Sequence, residues 1–256
     1  MNTNVNLAAP AGVLAFLGTG FLFFIAALVL IQSVIVKKPV RAKVVLVVML
    51  IIAGVYLSAI LIFSFASQEK ALALGAEKHF CEIDCHLAYS IVNTRQSKTA
   101  GNLGNQSTAR GVYTIVTIKT RFDETTIASS RGNGLLYPNS RVLTLVDDRG
   151  NIYAPSAEGQ RALQAAQSGG TALTTPLRPG ESYTTDVVFD LPPEVKSATL
   201  LINEGEWVTH FIIGHENSPL HKKTKFQINL SPSPLALVDY NSLIRNRSAA
   251  QRKDLR

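Results

Sequence analysis

Two long, uninterrupted apolar runs dominate the first quarter of the chain, and the hydrophobic pattern changes character after them. The first, GVLAFLGTGFLFFIAALVLIQSVIV, extends from Gly12 to Val36, and the second, VVLVVMLIIAGVYLSAILIFSFA, from Val44 to Ala66. Neither contains a charged residue, and each exceeds the ~20 residues a helix needs to cross the hydrocarbon of a bilayer. In hydrocarbon a backbone satisfies its hydrogen bonds only within a helix or a closed barrel, and these runs do not alternate as barrel strands do. The connector, residues 37–43, is too short for anything but an antiparallel turn. The pattern predicts a hairpin of two transmembrane helices, over 12–36 and 44–66, after a short N-terminus of residues 1–11.

Beyond Ala66 the period shortens. Residues 67–86 read as a stalk, with Ser67–Lys78 a polar extension of the second helix or a spacer. Short runs bounded by Gly, Pro, Asn and Asp then predict strands. They are Leu87–Arg95, Gly111–Phe122, Arg141–Asp147, Asn151–Ala154, Ser182–Asp190, Ala198–Ile202, Trp207–Ile213 and Lys225–Leu230. In the second of these, Val112, Thr114, Val116 and Ile118 alternate with Tyr113, Ile115, Thr117 and Lys119. Gln96–Ala109 reads as a loop, and Ala157–Gln167 as a short helix or polar insertion. Asp147 to Asn151 reads as a hairpin turn with Gly150 available for a positive φ. Pro192 and Pro193 end the strand before them, since proline cannot donate to a ladder. Short strands at this spacing, without long helices between them, predict an all-β sandwich of immunoglobulin type over residues 87–235. Residues 236–256 read as a basic flexible tail.

Charge then sets an orientation. The formal net charge is +7 over 256 residues, and it is unevenly placed. Lys37, Lys38, Arg41 and Lys43 crowd the connector with no acid among them, the segment before the first run is uncharged, and the flank after the second is mixed. The positive-inside bias puts the connector in the cytoplasm and both termini outside, so the sandwich is expected on the extracytoplasmic side of the inner (plasma) membrane. The first run is not a signal peptide, because it lacks a basic n-region and is too long. A second basic cluster, Arg245, Arg247, Arg252, Lys253 and Arg256, lies in the tail. Strong positive charge raises nucleic acid as a partner. Topology accounts for the connector, and the tail is short and polar. The expected partners are the lipid bilayer and a protein in the membrane or at its outer surface, with no nucleic acid.

Two stretches carry a resemblance. Leu177 to Pro192 (LRPGESYTTDVVFDLP) places a Pro-Gly-Glu turn before a strand that ends apolar-Phe-Asp-x-Pro, and Leu143 to Tyr153 reads LTLVDDRGNIY. Over roughly Tyr89 to Leu230 the chain resembles a family of bacterial extracytoplasmic immunoglobulin-like domains of unknown function. That resemblance implies a non-catalytic module. Members of the family are usually tethered by a lipid or a single anchor, so a two-helix hairpin departs from it.

The chemically dense spot is His79 to His86 (HFCEIDCH), which holds both cysteines of the chain. The leading reading is a Cys81–Cys85 disulfide, permitted outside the cytoplasm. Its Cα atoms must come within ~4.4–6.8 Å, so the segment must turn. The alternative is a copper or zinc site on His79, Cys81, Cys85 and His86, since thiolates and imidazoles are the ligands those metals prefer. The hairpin-plus-β-domain plan is similar to that of cytochrome oxidase subunit II, whose copper motif also has two cysteines four apart. That motif wants Glu at Ile83, His at Tyr89 and Met at Val92, so a dinuclear copper centre is set aside. Cys81-x-x-x-Cys85-His86 also resembles a rare covalent haem attachment, which ranks below the metal, and two free redox thiols complete the set. Trp207 is expected as a core or sheet-face aromatic. His210 and His215 are expected as surface or satisfied core groups, and His221, beside Lys222 and Lys223, in a solvated turn.

No Gly-x-Ser-x-Gly elbow, phosphate-binding glycine loop or His-Glu-x-x-His motif is present. The expected function is a non-enzymatic, membrane-anchored extracytoplasmic binding or scaffold module, a subunit of a membrane complex. The alternative is an extracytoplasmic metal-binding or redox protein built on Cys81, Cys85 and His86.

Overall fold

The computed structural model describes residues 2–3, 9–80, 86–126 and 131–230. Both cysteines and the tail lie outside that set, and with them the disulfide, the thiol ligands and the basic C-terminal cluster. In chain order the elements are β1 (Asn2–Thr3), α1 (Ala9–Ile35), α2 (Pro39–Ala66), β2 (Lys70–Leu72), β3 (Lys78–Phe80), β4 (Leu87–Ala100) and β5 (Ser107–Phe122). There follow β6 (Arg141–Asp147), β7 (Ile152–Tyr153), α3 (Ala157–Ala165), β8 (Ser182–Leu191), β9 (Ser197–Glu204) and β10 (Thr224–Asn229). Two single 3-10 turns, Glu124–Thr126 and Trp207–Phe211, complete the set.

Both long helices are long and apolar enough to cross a membrane. Their apolar side chains point outward on all sides, with Leu14, Phe21, Ile31, Leu50, Ile62 and Phe65 each more than half exposed. The turn between the helices is tighter than the sequence suggests. Lys37 takes a left-handed φ of 52°, and the Lys38 backbone N–H returns to Ser33 O at 2.8 Å. Pro39 then opens α2, where its fixed φ and missing donor suit the first helical position. Arg41 and Lys43 therefore ride on the first turns of α2 instead of a loop. At the opposite end of the hairpin, β1 pairs parallel with β3, Asn2 opposite Lys78 and Thr3 opposite His79. The chain thus enters α1 and leaves α2 at the same end, where the β-region sits.

The β-region is two five-stranded sheets, ordered β1-β3-β4-β5-β8 and β2-β10-β9-β6-β7. Strand alternation turns Tyr89, Ile91, Val116, Ile118, Phe122 and Phe189 of the first sheet towards Leu145, Leu200, Ile202, Phe226 and Ile228 of the second, forming one core. Burying each such large side chain contributes roughly 1.5–3 kcal/mol. The first sheet has a second layer as well. Tyr113, Ile115 and Val188 on its outer face pack with Ala100, Ala109 and, from α3, Ala162 and Leu163. Ser156 caps α3, accepting from the Gly159 backbone N–H at 3.2 Å. A Cβ on Gly159 would lie 2.6 Å from Val188 Cγ1, so α3 reaches the sheet only because that position is glycine. The helix and the segment after it also cover the β8 edge: Ser156 N–H donates to Val188 O, and Asp186 N–H donates to Gly169 O. A covered edge is closed to strand pairing with another chain.

Three stretches depart from the sequence reading. Gln96–Ala109 is mostly strand, because β4 and β5 run on to Ala100 and from Ser107, and only residues 101–106 turn. The inward positions there are Ala100 and Ala109, too small to register as an apolar stripe, and α3 supplies the cover. Ser67–Lys78 is no helical extension or free stalk. It contributes β2, parallel to β10, and the start of β3. Trp207–Ile213 is not a strand but a 3-10 turn followed by irregular backbone. The Asp147 turn does form: Gly150 has φ 83°, and the Asp147 carboxylate accepts from the Arg149 and Asn151 backbone N–H groups and the Tyr153 hydroxyl.

Candidate functional site

Two buried polar clusters flank β3, one on each face of that strand. Alternation sends Lys78 inward beside Phe80, and Glu77 and His79 outward. On the outer side, His79 Nε2 lies 3.1 Å from Asp123 Oδ2. Asp123 also accepts from the Thr125 backbone N–H and hydroxyl, at 3.0 and 2.7 Å. Arg121 reaches Asp123 at 3.4 Å and grips Glu77 with two bonds of 2.8 and 2.7 Å. Burial works against the Asp123 charge, but the Thr125 bonds, then His79 and Arg121, hold its carboxyl far below the usual carboxylate range. The Arg121 hydrogen bonds likewise lower the Glu77 carboxyl. With Nε2 on Asp123, His79 Nδ1 is buried with no hydrogen-bond partner among the described residues.

His86 reaches the same end of β5 by another route. Its ring packs 5.4 Å from that of Phe122, and its carbonyl accepts from the Asp123 N–H at 2.7 Å. β3 and β4 pair antiparallel with Phe80 opposite Leu87, and both histidines converge on Phe122 and Asp123. Of the four proposed ligands, these two are the described ones. Among the described residues, no group of three or more His, Cys, Asp or Glu is placed to hold a metal ion.

On the inner side of β3, the Lys78 ammonium is fully buried. It donates to Glu216 Oε2 at 2.5 Å and to Ile202 O at 2.8 Å, and lies 4.8 Å from the Phe80 ring centre. Burial pushes Lys78 below the ordinary lysine range, with Glu216 opposing it. Beside this pair, His215 Nε2 meets Glu204 Oε2 at 3.1 Å, while its Nδ1 accepts from the Asn217 backbone N–H at 3.0 Å. The Asn217 amide then donates to Glu204 O and to the Thr209 hydroxyl. These bonds fasten the segment between β9 and β10 to the end of the second sheet. The sequence gives no periodic sign of this cluster, because its members come from three separate stretches. Of the two outcomes expected for His215, surface or satisfied core, it takes the second. His221 is 8% exposed and not in a solvated turn; burial lowers its pKa.

The segment so fastened is also the one that touches the hairpin. The Tyr56 hydroxyl donates to Phe211 O at 2.7 Å, and Ser67 Oγ accepts from the Lys222 N–H at 2.9 Å. A Cβ on Gly12 of α1 would come within 3.0 Å of Ile213 O. Trp207, expected in the core or on a sheet face, is instead 72% exposed on this segment. Lys37, Lys38, Arg41 and Lys43 lie at the far end of the hairpin, all exposed.

The outer faces of the two sheets differ. α3 covers part of the first, while among the described residues no element lies over the β10-β9-β6 face of the second. Val142, Thr144 and Val146 face outward there beside Thr199, Leu201 and Asn203, with Gln227 in the next strand. A shallow depression of about 250 Å³ opens at one end of this face, lined by Val146, Asp148, Ser197, Thr199, Gln227 and Asn229.

Neither the protein-family models nor the curated proteins match this chain. Three solved structures are similar to part of it, each at 12% identity. A conserved hypothetical protein from Bacillus anthracis covers 51% of this chain and 88% of its own, with a TM-score of 0.39. The secreted protein MPT63 from Mycobacterium tuberculosis covers 63% and 98%, with a TM-score of 0.35. The yjhA protein from Bacillus subtilis covers 64% and 100%, with a TM-score of 0.38.

Proposed function

We propose that the chain is a non-enzymatic binding or scaffold subunit, anchored by its helical hairpin and presenting an immunoglobulin-like sandwich on the extracytoplasmic side. The observation that carries this reading is the open β10-β9-β6 face. It mixes Val142, Val146 and Leu201 with uncharged polar side chains and few charges, Lys225 paired to Glu69 and Asp148 at the depression, a mix that suits docking another protein. Its depression of about 250 Å³ is open and falls below the ~300–1,000 Å³ of small-molecule pockets, so a protein fits it better than a small ligand. The predominantly apolar surfaces of α1 and of α2 beyond Lys43 support the anchor, since only lipid or other apolar helices cover such surfaces stably. The test is purification of the intact protein from native membranes in mild detergent. A stoichiometric partner is expected, lost with Leu201→Arg in the middle of the open face. A monomer without a partner counts against the reading.

A second reading has one observation in its favour. A histidine that ligates a metal typically gives its other ring nitrogen to a carboxylate. His79 does so with Asp123, and its Nδ1 is buried with no partner among the described residues. On this reading His79 and His86, with Cys81 and Cys85, hold copper or zinc. The same preparation, purified without added metal, then carries about one metal ion per chain, and His79→Gln removes it. Metal-free protein of intact mass two hydrogens light favours the Cys81–Cys85 bridge instead.

A further inference from the structure

The Trp207–Ile213 stretch poses a question that the sandwich itself does not answer. Trp207 and Phe211 stack edge to face at 5.8 Å yet stay 72% and 45% exposed, so the pair packs on itself and presents an apolar surface outward. Isolated exposed apolar residues need no explanation, but an aromatic pair fixed beside a membrane-type helix does. The position along α2 is informative. Ser67, which caps α2, holds Lys222, while Tyr56 holds Phe211 O. Tyr56 lies eleven residues before Ser67, roughly 16 Å along the helix axis at about 1.5 Å per residue. Gly12, three residues into α1 from its outer end, lies against Ile213 O, so the segment runs down beside the outer turns of the hairpin. Along those turns Leu61, Ile62 and Phe65 of α2 are exposed and apolar, and no charged residue lies between Val44 and Ala66.

The backbone of the segment is dressed for such a place. Non-helical backbone is tolerated at membrane depth only where protein satisfies its polar groups. Thr209 N–H donates to Glu206 O, Ile212 N–H to Thr209 O, and His215 N–H to Ile212 O, which also receives the Ser218 hydroxyl. The Phe211 carbonyl has its donor in the phenol of Tyr56, supplied by the helix itself. Glu206 precedes the stretch and Lys222 and Lys223 follow it, while His210 within it is exposed, its Nδ1 3.0 Å from Trp207 O, which suits the headgroup level at the edge of the hydrocarbon. Trp and Tyr concentrate where hydrocarbon meets headgroups.

We propose that Trp207–Ile213 is a membrane-inserted wedge: it enters the leaflet on the sandwich side beside α2, with Trp207 and Phe211 against lipid acyl chains below the headgroups. The wedge holds the sandwich down on the bilayer, with its open sheet face turned to one side. The proposal rests on the reading of α1 and α2 as membrane spans.

Trp207 is the single tryptophan of the chain, so its fluorescence reports this site alone. The full-length protein is reconstituted in phosphatidylcholine–phosphatidylglycerol vesicles whose acyl chains carry bromine at shallow or deep positions. Retention is checked on the same vesicles by flotation and alkaline extraction. The expected result is blue-shifted emission, quenched several-fold more by shallow bromolipid than by aqueous iodide, and absent in Trp207→Phe. Protein that resists extraction but shows water-like emission quenched by iodide overturns the wedge and leaves the anchor standing. So does retained protein whose Trp207 neither quencher reaches, which places the pair against protein. Release by alkaline extraction overturns the anchor itself, and the wedge with it.

Discussion

Asp123 is held by Thr125, His79 and Arg121 at once, and that crowd decides how the protein responds to acid. Its folded-state pKa lies below the ordinary value of 3.8, and Glu77 lies below its own 4.5. Above those ordinary values both carboxyls are ionised whether the chain is folded or not, and their contribution to stability is fully present. As pH falls below about 4.5, the unfolded chain takes up protons that the folded one refuses, so stability declines until the folded carboxyls titrate too. Asp123→Asn is therefore expected to cost about 1–3 kcal/mol at neutral pH, the range for leaving buried hydrogen-bonding groups unsatisfied. It also flattens the loss of stability below pH 4.5. Denaturant unfolding across pH 3–7, wild type against variant, reads both effects, and an unchanged acid slope rules out Asp123 as its source. His79 and His86 draw attention in the sequence by their density with the cysteines. Asp123, Lys78 and Glu216 draw none, because a residue 44 or 138 positions away supplies what makes each matter.

Elements were legible where one face decided them. The two helices announce themselves by length and apolarity, and the strands β6 and β8 by alternation, within a residue of where they form. Legibility failed where a different element supplied the buried surface. The tip of the β4–β5 hairpin buries only alanines, under a helix that begins more than fifty residues later, so its composition reads as loop. Trp207–Ile213 failed in the opposite sense. Its β-branched and aromatic residues suit a strand, but β propensity is a statement about fitting a half-buried pleated surface, and context overrides it. Here Thr209 is tied to Glu206 and Asn217, and Phe211 O to Tyr56, which curls the backbone into a 3-10 turn. Ser67–Lys78 has too few residues between helix and sheet to show a period at all. Its strands are set by their partners, β10 and β4.

At the scale of the molecule, both outer ends of the hairpin are tied to the β-region. β1 pairs with β3, Gly12 lies against Ile213, and Ser67 holds Lys222. The turn with Lys37, Lys38, Arg41 and Lys43 is at the other end, a helix length away: 27 residues in α1 span roughly 40 Å, enough to cross the ~30 Å hydrocarbon. If the helices span, the turn and the sandwich must face opposite sides, and the cationic turn belongs in the cytoplasm. Two positions test this without touching the charges. Val40 is 75% exposed at the turn and Leu103 is 99% exposed at the β4–β5 tip. In a Cys81→Ser/Cys85→Ser background, a membrane-impermeant maleimide applied from the extracytoplasmic side is expected to label Leu103→Cys at once. Val40→Cys should react only after the membrane is permeabilised. The opposite pattern reverses the orientation, and immediate labelling of both removes the hairpin from the bilayer. Either result would also take Trp207 out of the outer leaflet, since Phe211, on which it stacks, is bonded to Tyr56 of the helix that carries Val40.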